Sequence, residues 1–309
     1  MRILLCGGAG YIGAHTYVVL VERGHDVVVV DNFSNSSPGV LARLRQITGR
    51  PVPFQPLDLR DRDAVTGFFA HQAFDAVVHF AALKSVGESC ERPLDYFHNN
   101  IGGTLNLLHG MREAGVERLV FSSSATVYGD PDHVPVREDA RLQVTNPYGR
   151  TKLVMEELIG DLCRSDAGFH AANLRYFNPV GAHASGLIGE DPTGIPNNLM
   201  PYICQVAVGR RDRLSVFGGD WPTVDGTGVR DCIHVMDLAR AHADALDFLV
   251  RERRSLTVNL GTGQGVSVLQ LVEAFARVRA AVRAAARSRP ATAAQLHAPG
   301  AAGVQMSDP

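Results

Sequence analysis

Cysteine is scarce and scattered: Cys6, Cys90, Cys163, Cys204 and Cys232 are the five in 309 residues. No two form a C-x-x-C pair and none joins a histidine at zinc spacing, which excludes a zinc site or a disulfide framework readable from the sequence. An odd, dispersed set predicts a reducing compartment. Long apolar runs are missing as well. No segment approaches the roughly 18 residues of a membrane-spanning helix. The N-terminal stretch before Gly7 has only a short apolar run that stops at the glycine, too short for the core of a signal peptide. These absences predict a cytoplasmic protein with no membrane partner. An excess of one charge is lacking too: the formal net charge is -2, which gives no bulk pull toward nucleic acid or anionic lipid. No internal repeat is evident. What remains is ordinary globular material, 45% hydrophobic and 20% charged, enough for one large domain or two modest ones.

Strand-like and helix-like stretches alternate from the start. Residues 3–5 read as a short buried strand and 11–23 as a helix closed by Gly24. Residues 26–30 are a valine run, the pattern of a strand buried on both faces. A helix over 63–71, a strand over 76–80, a helix over 100–114 and a strand over 118–122 follow. Next come a helix over 148–164 behind Pro147 and a strand over 171–176. This rhythm predicts the α/β class, a doubly wound parallel sheet with helices on both faces, over residues 1–177. Beyond 178 the rhythm loosens. Gly, Pro and Asn crowd 179–198, then a helix over 199–208, a strand over 214–217 and a polar loop over 218–228 are expected. A strand over 232–234, a helix over 235–250, a strand over 257–260 and a helix from Ser267 complete the reading. Residues 178–275 therefore read as a smaller α/β region, with 231–260 returning to the first domain. Residues 276–309 change to Ala, Arg and Pro, with Asp308 the single acid. That composition fits a helix running into a disordered end, or an arginine-rich nucleic-acid tail. The dominance of Ala and Pro and the lack of aromatics argue against the second.

The first strand runs into Gly7-Gly8-Ala9-Gly10-Tyr11-Ile12-Gly13. Glycines 8, 10 and 13 fit G-x-G-x-x-G, and glycines 7, 10 and 13 fit G-x-x-G-x-x-G. Either way, missing Cβ atoms permit a tight turn, a close backbone approach to a pyrophosphate and close helix–strand packing. Any glycine-rich turn shares the letters, but the strand before and the helix after supply the context for dinucleotide binding. Asp31 ends the second strand. A carboxylate there accepts from an adenosine ribose and repels a 2′-phosphate, which predicts NAD over NADP; the plainer alternative is a turn cap. Asp58 follows the third strand and fits either an adenine contact or a helix N-cap.

Ser122-Ser123-Ser124 sits at the end of a buried strand, and Tyr148 and Lys152 lie one helical turn apart on one face. Most Tyr and Lys pairs at that spacing are solvated surface, but these follow a dinucleotide loop and a strand-end serine. Removing a hydroxyl proton while a hydride leaves the same carbon needs a base. A free phenol, with a pKa of about 10, is a poor one. A lysine ammonium and a cationic nicotinamide both favour phenolate, so Tyr148 is expected to act as base and then as acid. Ser124 can hydrogen-bond the reacting hydroxyl, and Lys152 the nicotinamide ribose.

With these residues in hand, the chain resembles the extended short-chain dehydrogenase/reductase family and its Rossmann fold. Within that family it is similar to the UDP-hexose 4-epimerases, which interconvert UDP-galactose and UDP-glucose. The likeness covers about residues 1–275 and rests on the stretches 7–15, 31–32, 79–89, 121–129, 146–152, 174–183, 189–209 and 225–238. It implies Ser124, Tyr148 and Lys152 as catalytic residues. It implies NAD contacts at Gly7, Gly10, Tyr11, Ile12, Gly13, Asp31, Asn32, Asp58, Leu59, Phe80, Ala81, Lys84, Asn99, Ser122 and Tyr176, besides Tyr148 and Lys152. It implies UDP-sugar contacts at Ser124, Thr126, Asn178, Asn198, Leu199, Ser215, Phe217 and Arg230, placing the substrate mainly on 178–275. Arg230 is a fixed cation suited to a pyrophosphate. Phe217 suits a uracil slot or an apolar core equally, and Lys84 suits a cofactor contact or a solvated surface. The resemblance further implies a transient 4-keto sugar that turns over between two hydride transfers, tightly held NAD, no net redox, and a homodimer built partly on the 100–114 helix.

Two departures stand out. Residues 276–309 do not resemble the family's next segment, which predicts a truncated or frameshifted reading frame and weakened UDP affinity. Cys6 stands where the family often has threonine. Two rivals are weighed against residues. A nucleotide-sugar dehydratase carries an acidic pair after the strand-end serine, whereas Ser124 is followed by Ala125-Thr126. A non-catalytic NAD-binding homologue usually loses the Tyr/Lys pair, which this chain keeps.

Overall fold

A computed structural model describes residues 1–194, 196–287 and 305–306 of the chain. In chain order its strands are β1 (Arg2–Cys6), β2 (Asp26–Asp31), β3 (Phe54–Pro56), β4 (Ala76–His79), β5 (Arg118–Ser124), β6 (His170–Tyr176), β7 (Asn178–Val180), β8 (Ser215–Val216), β9 (Val229–His234), β10 (Leu256–Leu260), β11 (Gly265–Ser267) and β12 (Gln305–Met306). The chain divides into two compact units: Met1–Thr193 with Ile233–Thr262, and Gly194–Cys232 with the chain from Gly263 on.

The first unit is built on a seven-stranded parallel sheet in the order β10-β6-β5-β4-β1-β2-β3. The valine run of β2 is apolar throughout because both faces of the sheet are covered. Val27 and Val29, with Ile3, Leu5 and Val78, pack under the helices Tyr11–Glu22 and Val235–Glu252. Val28 and Val30, with Leu4, Cys6 and Val77, pack under Arg62–Ala70, Gly103–Glu113 and Pro147–Ser165. Side chains alternate across each strand, so neighbours in sequence feed opposite cores. The register Leu4↔Val28 and Leu4↔Val77 puts β1 at the centre. From β1 the chain winds outward to β2 and β3, then crosses back to β4 on the other side. That reversal opens a crevice at the carboxyl ends of β1 and β4, where doubly wound sheets bind ligands.

Several expected elements are adjusted. The helix read over 100–114 is Gly103–Glu113, preceded by a π-helical stretch, Phe97–Gly102. That wider turn leaves the Asn100 amide to grip the Leu83 backbone through both its oxygen, at 2.8 Å, and its nitrogen, at 3.0 Å. The strand read over 214–217 is only Ser215–Val216, while the one read over 232–234 begins at Val229. The helix Gly39–Thr48 was not foreseen. Its stripe of Val40, Leu44 and Ile47 packs on the sheet's core, but Leu44 is the one residue of it that is fully buried.

In the second unit, β9 and β11 pair antiparallel with Arg230 opposite Val266, and β8 pairs parallel with β12. Ile203, Leu214 and Val216 form a small core with Val272 and Phe275 from the helix Val268–Arg287. The helix foreseen at the start of the tail is present to Arg287. The rest of that expectation, apart from Gln305–Met306, lies outside the described residues. Among the described residues, no helix is long and apolar enough to cross a membrane and no His/Cys/Asp/Glu group could hold a metal ion.

Three imidazoles are buried in the first unit: His15, His79 and His242. His15 and His242 donate from Nδ1 to the carbonyls of Tyr11 and Leu238, at 2.7 and 2.8 Å, and their Nε2 atoms have no partner. Burial pushes His15 and His242 down to about 4 and His79 to about 3. The unfolded chain takes up these protons near pH 6.5, whereas the fold refuses them until far lower pH. Their contribution to stability is therefore complete above about pH 6.5 and is lost as pH falls toward 4. Denaturant unfolding at pH 7.5 and pH 5.0 is expected to show a loss of about 2 kcal/mol or more at the lower pH, each unit of depression being worth about 1.4 kcal/mol. An unchanged unfolding free energy between the two would contradict the buried neutral imidazoles.

Candidate active site

The crevice at the sheet's switch point is a cavity of about 280 Å³. Its floor is the glycine loop. Gly7 has φ +75°, and a Cβ there would sit 2.7 Å from the Ala81 backbone nitrogen. A Cβ on Gly13 would sit 2.3 Å from the Gly7 carbonyl oxygen and 2.8 Å from the Gly8 Cα. Helix Tyr11–Glu22 thus starts against β1 only because both positions lack a side chain. Gly10 is its N-cap, and no side chain caps the end. A backbone end this bare, facing a cavity, is suited to a diphosphate.

Asp31 closes β2 beside this loop. Its Oδ2 accepts from Ala9 N at 3.1 Å, and its Oδ1 from Phe33 N at 2.8 Å and Ser36 Oγ at 3.0 Å. Asp58 faces it from beyond β3. Arg60 donates to Asp58 at 2.6 Å and Asn32 at 3.2 Å, and this bonding, Arg60 foremost, holds the Asp58 carboxyl below the usual range. The N-cap of the following helix is Asp61, which accepts from Ala64 N, so Asp58 is left to line the cavity. Of the two readings kept open for Asp58, the cap is thereby excluded.

At the other end of the cavity, which Ser122 lines, the three serines of β5 each tie to a different element. Ser122 Oγ hydrogen-bonds Tyr176 OH, and its carbonyl accepts from Lys152 Nζ at 2.6 Å. Ser123 Oγ donates to Glu156. Ser124 Oγ accepts from Thr126 N at 3.2 Å and Thr126 Oγ1 at 3.0 Å, and it hydrogen-bonds the Tyr148 phenol. Helix Pro147–Ser165 is started by Asn146, whose Oδ1 accepts from Gly149 N at 2.8 Å, with Pro147 in the first turn. Tyr148 and Lys152 then project side by side, both buried.

Burial dominates the electrostatics of this pair. Burial pushes the Tyr148 phenol up to about 12, with the Ser124 hydrogen bond acting the other way. Burial also pulls Lys152 down to about 7, opposed by Glu156. The Lys152 nitrogen stands 6.0 Å from the Tyr148 ring centre and bonds the Ser122 carbonyl. Lysine alone therefore does not yield the acidic phenol expected from the lysine and nicotinamide charges together, because desolvation outweighs its charge.

Every residue expected to touch NAD lines this one cavity, from Gly7 to Tyr176. Lys84 is not merely solvated: it pairs with Glu190 at 3.3 Å. Of the residues expected at the sugar nucleotide, Ser124, Thr126 and Asn178 belong to the first unit. Asn198 and Leu199 start a helix of the second unit, Ser215 lies on β8 and Arg230 on β9. Phe217 lies just past β8 and is 82% exposed, so its reading as a core residue is wrong. The sequence reading missed residues 34–37 and 188–192, which also line the cavity and carry no periodic signal.

The model of the NAD dependent epimerase/dehydratase family matches residues 3–261. The chain belongs to that family. Among its relatives, UDP-glucose 4-epimerase of Bacillus subtilis (strain 168) is 56% identical over 278 residues, which cover 90% of this chain and 82% of that one. The Mus musculus UDP-glucose 4-epimerase is 55% identical, covering 89% and 81%. Among solved family structures, UDP-glucose-4-epimerase from Stenotrophomonas maltophila with bound NAD and formylated UDP-arabinopyranose superposes with a TM-score of 0.86 at 58% identity, covering 89% and 82%. The Bifidobacterium longum enzyme in complex with NAD+ and UDP gives 0.87 at 47% identity, covering 91% and 84%. The family's cofactor, NAD, fits the cradle that Gly7 and Gly13 leave open and the Asp31 carboxylate beside it.

Proposed function

We propose that this chain interconverts UDP-galactose and UDP-glucose by inverting C4 of the sugar through a transient 4-keto form, with NAD held throughout. The observation that carries this reading is that Tyr148 and Lys152 line one end of the dinucleotide cavity while Ser124 hydrogen-bonds the Tyr148 phenol. Relatives bearing that name at over half identity support it. When bound, NAD supplies the acceptor and donor for the C4 hydrogen with its electron pair, and a ring charge beside the phenol.

The chain's own residues do the rest. Gly7, Gly10, Tyr11, Ile12 and Gly13 hold the diphosphate, Asp31 and Asn32 the adenosine ribose, and Asp58 and Leu59 the adenine side. Phe80, Ala81, Lys84, Asn99, Ser122 and Tyr176 line the inner half of the same cavity. Tyr148 takes the proton of the sugar 4-hydroxyl and gives it back on the opposite face. Ser124 holds that hydroxyl, and the Lys152 ammonium favours phenolate. Thr126 and Asn178 from the first unit, with Asn198, Leu199, Ser215, Phe217 and Arg230 from the second, bind the UDP-sugar. Binding energy placed on the nucleotide leaves the sugar loose enough to turn. The division of labour follows: residues 1–177, joined by 231–260, for NAD, and 178–275 mainly for the substrate. A second copy of the chain packs along Gly103–Glu113, where Leu105 is exposed. A cytoplasmic location agrees with five cysteines that are all unpaired.

The deciding experiment supplies UDP-galactose, and no NAD, to purified protein and couples UDP-glucose formation to a detecting enzyme. Product is expected, with nicotinamide recovered on denaturing the protein. No product and no recoverable nicotinamide would overturn the proposal.

A further inference from the structure

On helix Pro147–Ser165, Tyr148, Lys152 and Glu156 follow at four-residue intervals, so all three share one face. All three are buried. The Glu156 carboxylate takes a fork from Arg175 on β6: Nε donates at 3.0 and 3.1 Å, and Nη2 at 2.6 Å. Ser123 donates to the same carboxylate. Arg175 is itself steadied by Tyr128, donating to its hydroxyl at 3.0 Å, and by the Glu138 carbonyl at 3.3 Å. Both partners of this ion pair are at least nine-tenths buried. The desolvation cost of such a pair roughly cancels its attraction, and apolar replacements of like volume often serve a fold as well. The pair's place, one helical turn from Lys152, points instead to the site.

The groups facing Lys152 make the need plain. From its own helix come Tyr148 and Glu156, and from the end of β4 His79, with Arg175 behind Glu156; Tyr176 of β6 stands one residue removed, on the hydroxyl of Ser122, whose carbonyl takes the Lys152 hydrogen bond. Burial keeps His79 neutral and pushes both tyrosines up, so none of these three brings a negative charge at neutral pH. Lys152's own hydrogen bond is to the neutral Ser122 carbonyl. Among the described residues, Glu156 is the carboxylate set against the ammonium.

We propose that Glu156 is a positioning residue of the proton-transfer pair: its carboxylate keeps Lys152 charged, and Arg175 and Ser123 hold that carboxylate in place. This rests on the reading of Tyr148 and Lys152 given above. Burial drags Lys152 to about 7 even with Glu156 opposing it. Removing the carboxylate takes away the charge that opposes burial, and so shifts Lys152 further toward its neutral form, which does not favour phenolate.

The chain contains only two lysines, Lys84 and Lys152. NMR of the NAD-loaded protein with 13Cε-labelled lysine therefore reads the Lys152 titration directly, and Lys84→Arg assigns the signals. Glu156→Gln is expected to lower the Lys152 proton affinity about tenfold or more, and Glu156→Asp to keep it within threefold of the parent. Because the amide strands the Arg175 charge, Glu156→Gln/Arg175→Met removes both charges. A fall of at least threefold is expected there too. The alkaline limb of kcat against pH should move down by the same factor. A Lys152 midpoint unmoved in both amide variants, or as low in Glu156→Asp as in Glu156→Gln, overturns the proposal. Lost turnover with an unmoved midpoint marks a merely structural pair and overturns it as well. An inactive parent protein would count against the proposed function, while the NMR midpoints would still decide what Glu156 does to Lys152.

Discussion

Replacing Tyr148 with phenylalanine is expected to cut kcat about 10²–10⁴-fold, the span typical of a lost general acid–base group. The fold and the bound dinucleotide are expected to survive. The ring is buried and keeps its packing, and the partner left behind, Ser124, still accepts from Thr126. Only one hydrogen bond goes, worth about 1 kcal/mol. Steady-state turnover and nicotinamide content, measured on one preparation, separate the two effects. Turnover within tenfold of the parent would remove Tyr148 from its role.

Gly13→Ala is expected to act at the opposite end of the cavity and to do the reverse. The added methyl meets the Gly7 carbonyl oxygen at 2.3 Å and the Gly8 Cα at 2.8 Å, both backbone. Backbone cannot swing aside as a side chain does, so the start of helix Tyr11–Glu22 must move away from β1. Overpacking of this kind costs about 1–3 kcal/mol, and the diphosphate cradle is deformed with it. Nicotinamide recovered per chain should fall to a small fraction, with a lower thermal midpoint. A variant that purifies with a full complement of NAD would show that the close approach does not matter to the cofactor.

The legible parts of the protein are those written in local spacing. The valines of β2 announced a strand covered on both faces, and the structure feeds them alternately to two cores. The glycines at 7, 10 and 13 announced a bare helix start, and the four-residue step from Tyr148 to Lys152 announced a shared face. What stayed hidden depends on distant chain or on environment. Residues 188–192 reach the cavity without any pattern. Glu156 and Arg175 are nineteen residues apart and meet only because β6 lies beside β5 and under the helix. For Tyr148 and Lys152, spacing reveals the neighbours and not the dryness that makes each hard to charge.

The cavity, Ser124, Tyr148 and Lys152 all lie within a single compact unit. The oxidation chemistry is thus a self-contained cassette, encoded in the larger of the two units. Most of the residues proposed to recognise the nucleotide lie in the smaller one. Mutations that retune which sugar nucleotide is grasped can accumulate there without disturbing the proton-transfer machinery, and the same reaction core can be inherited unchanged while its choice of customer drifts.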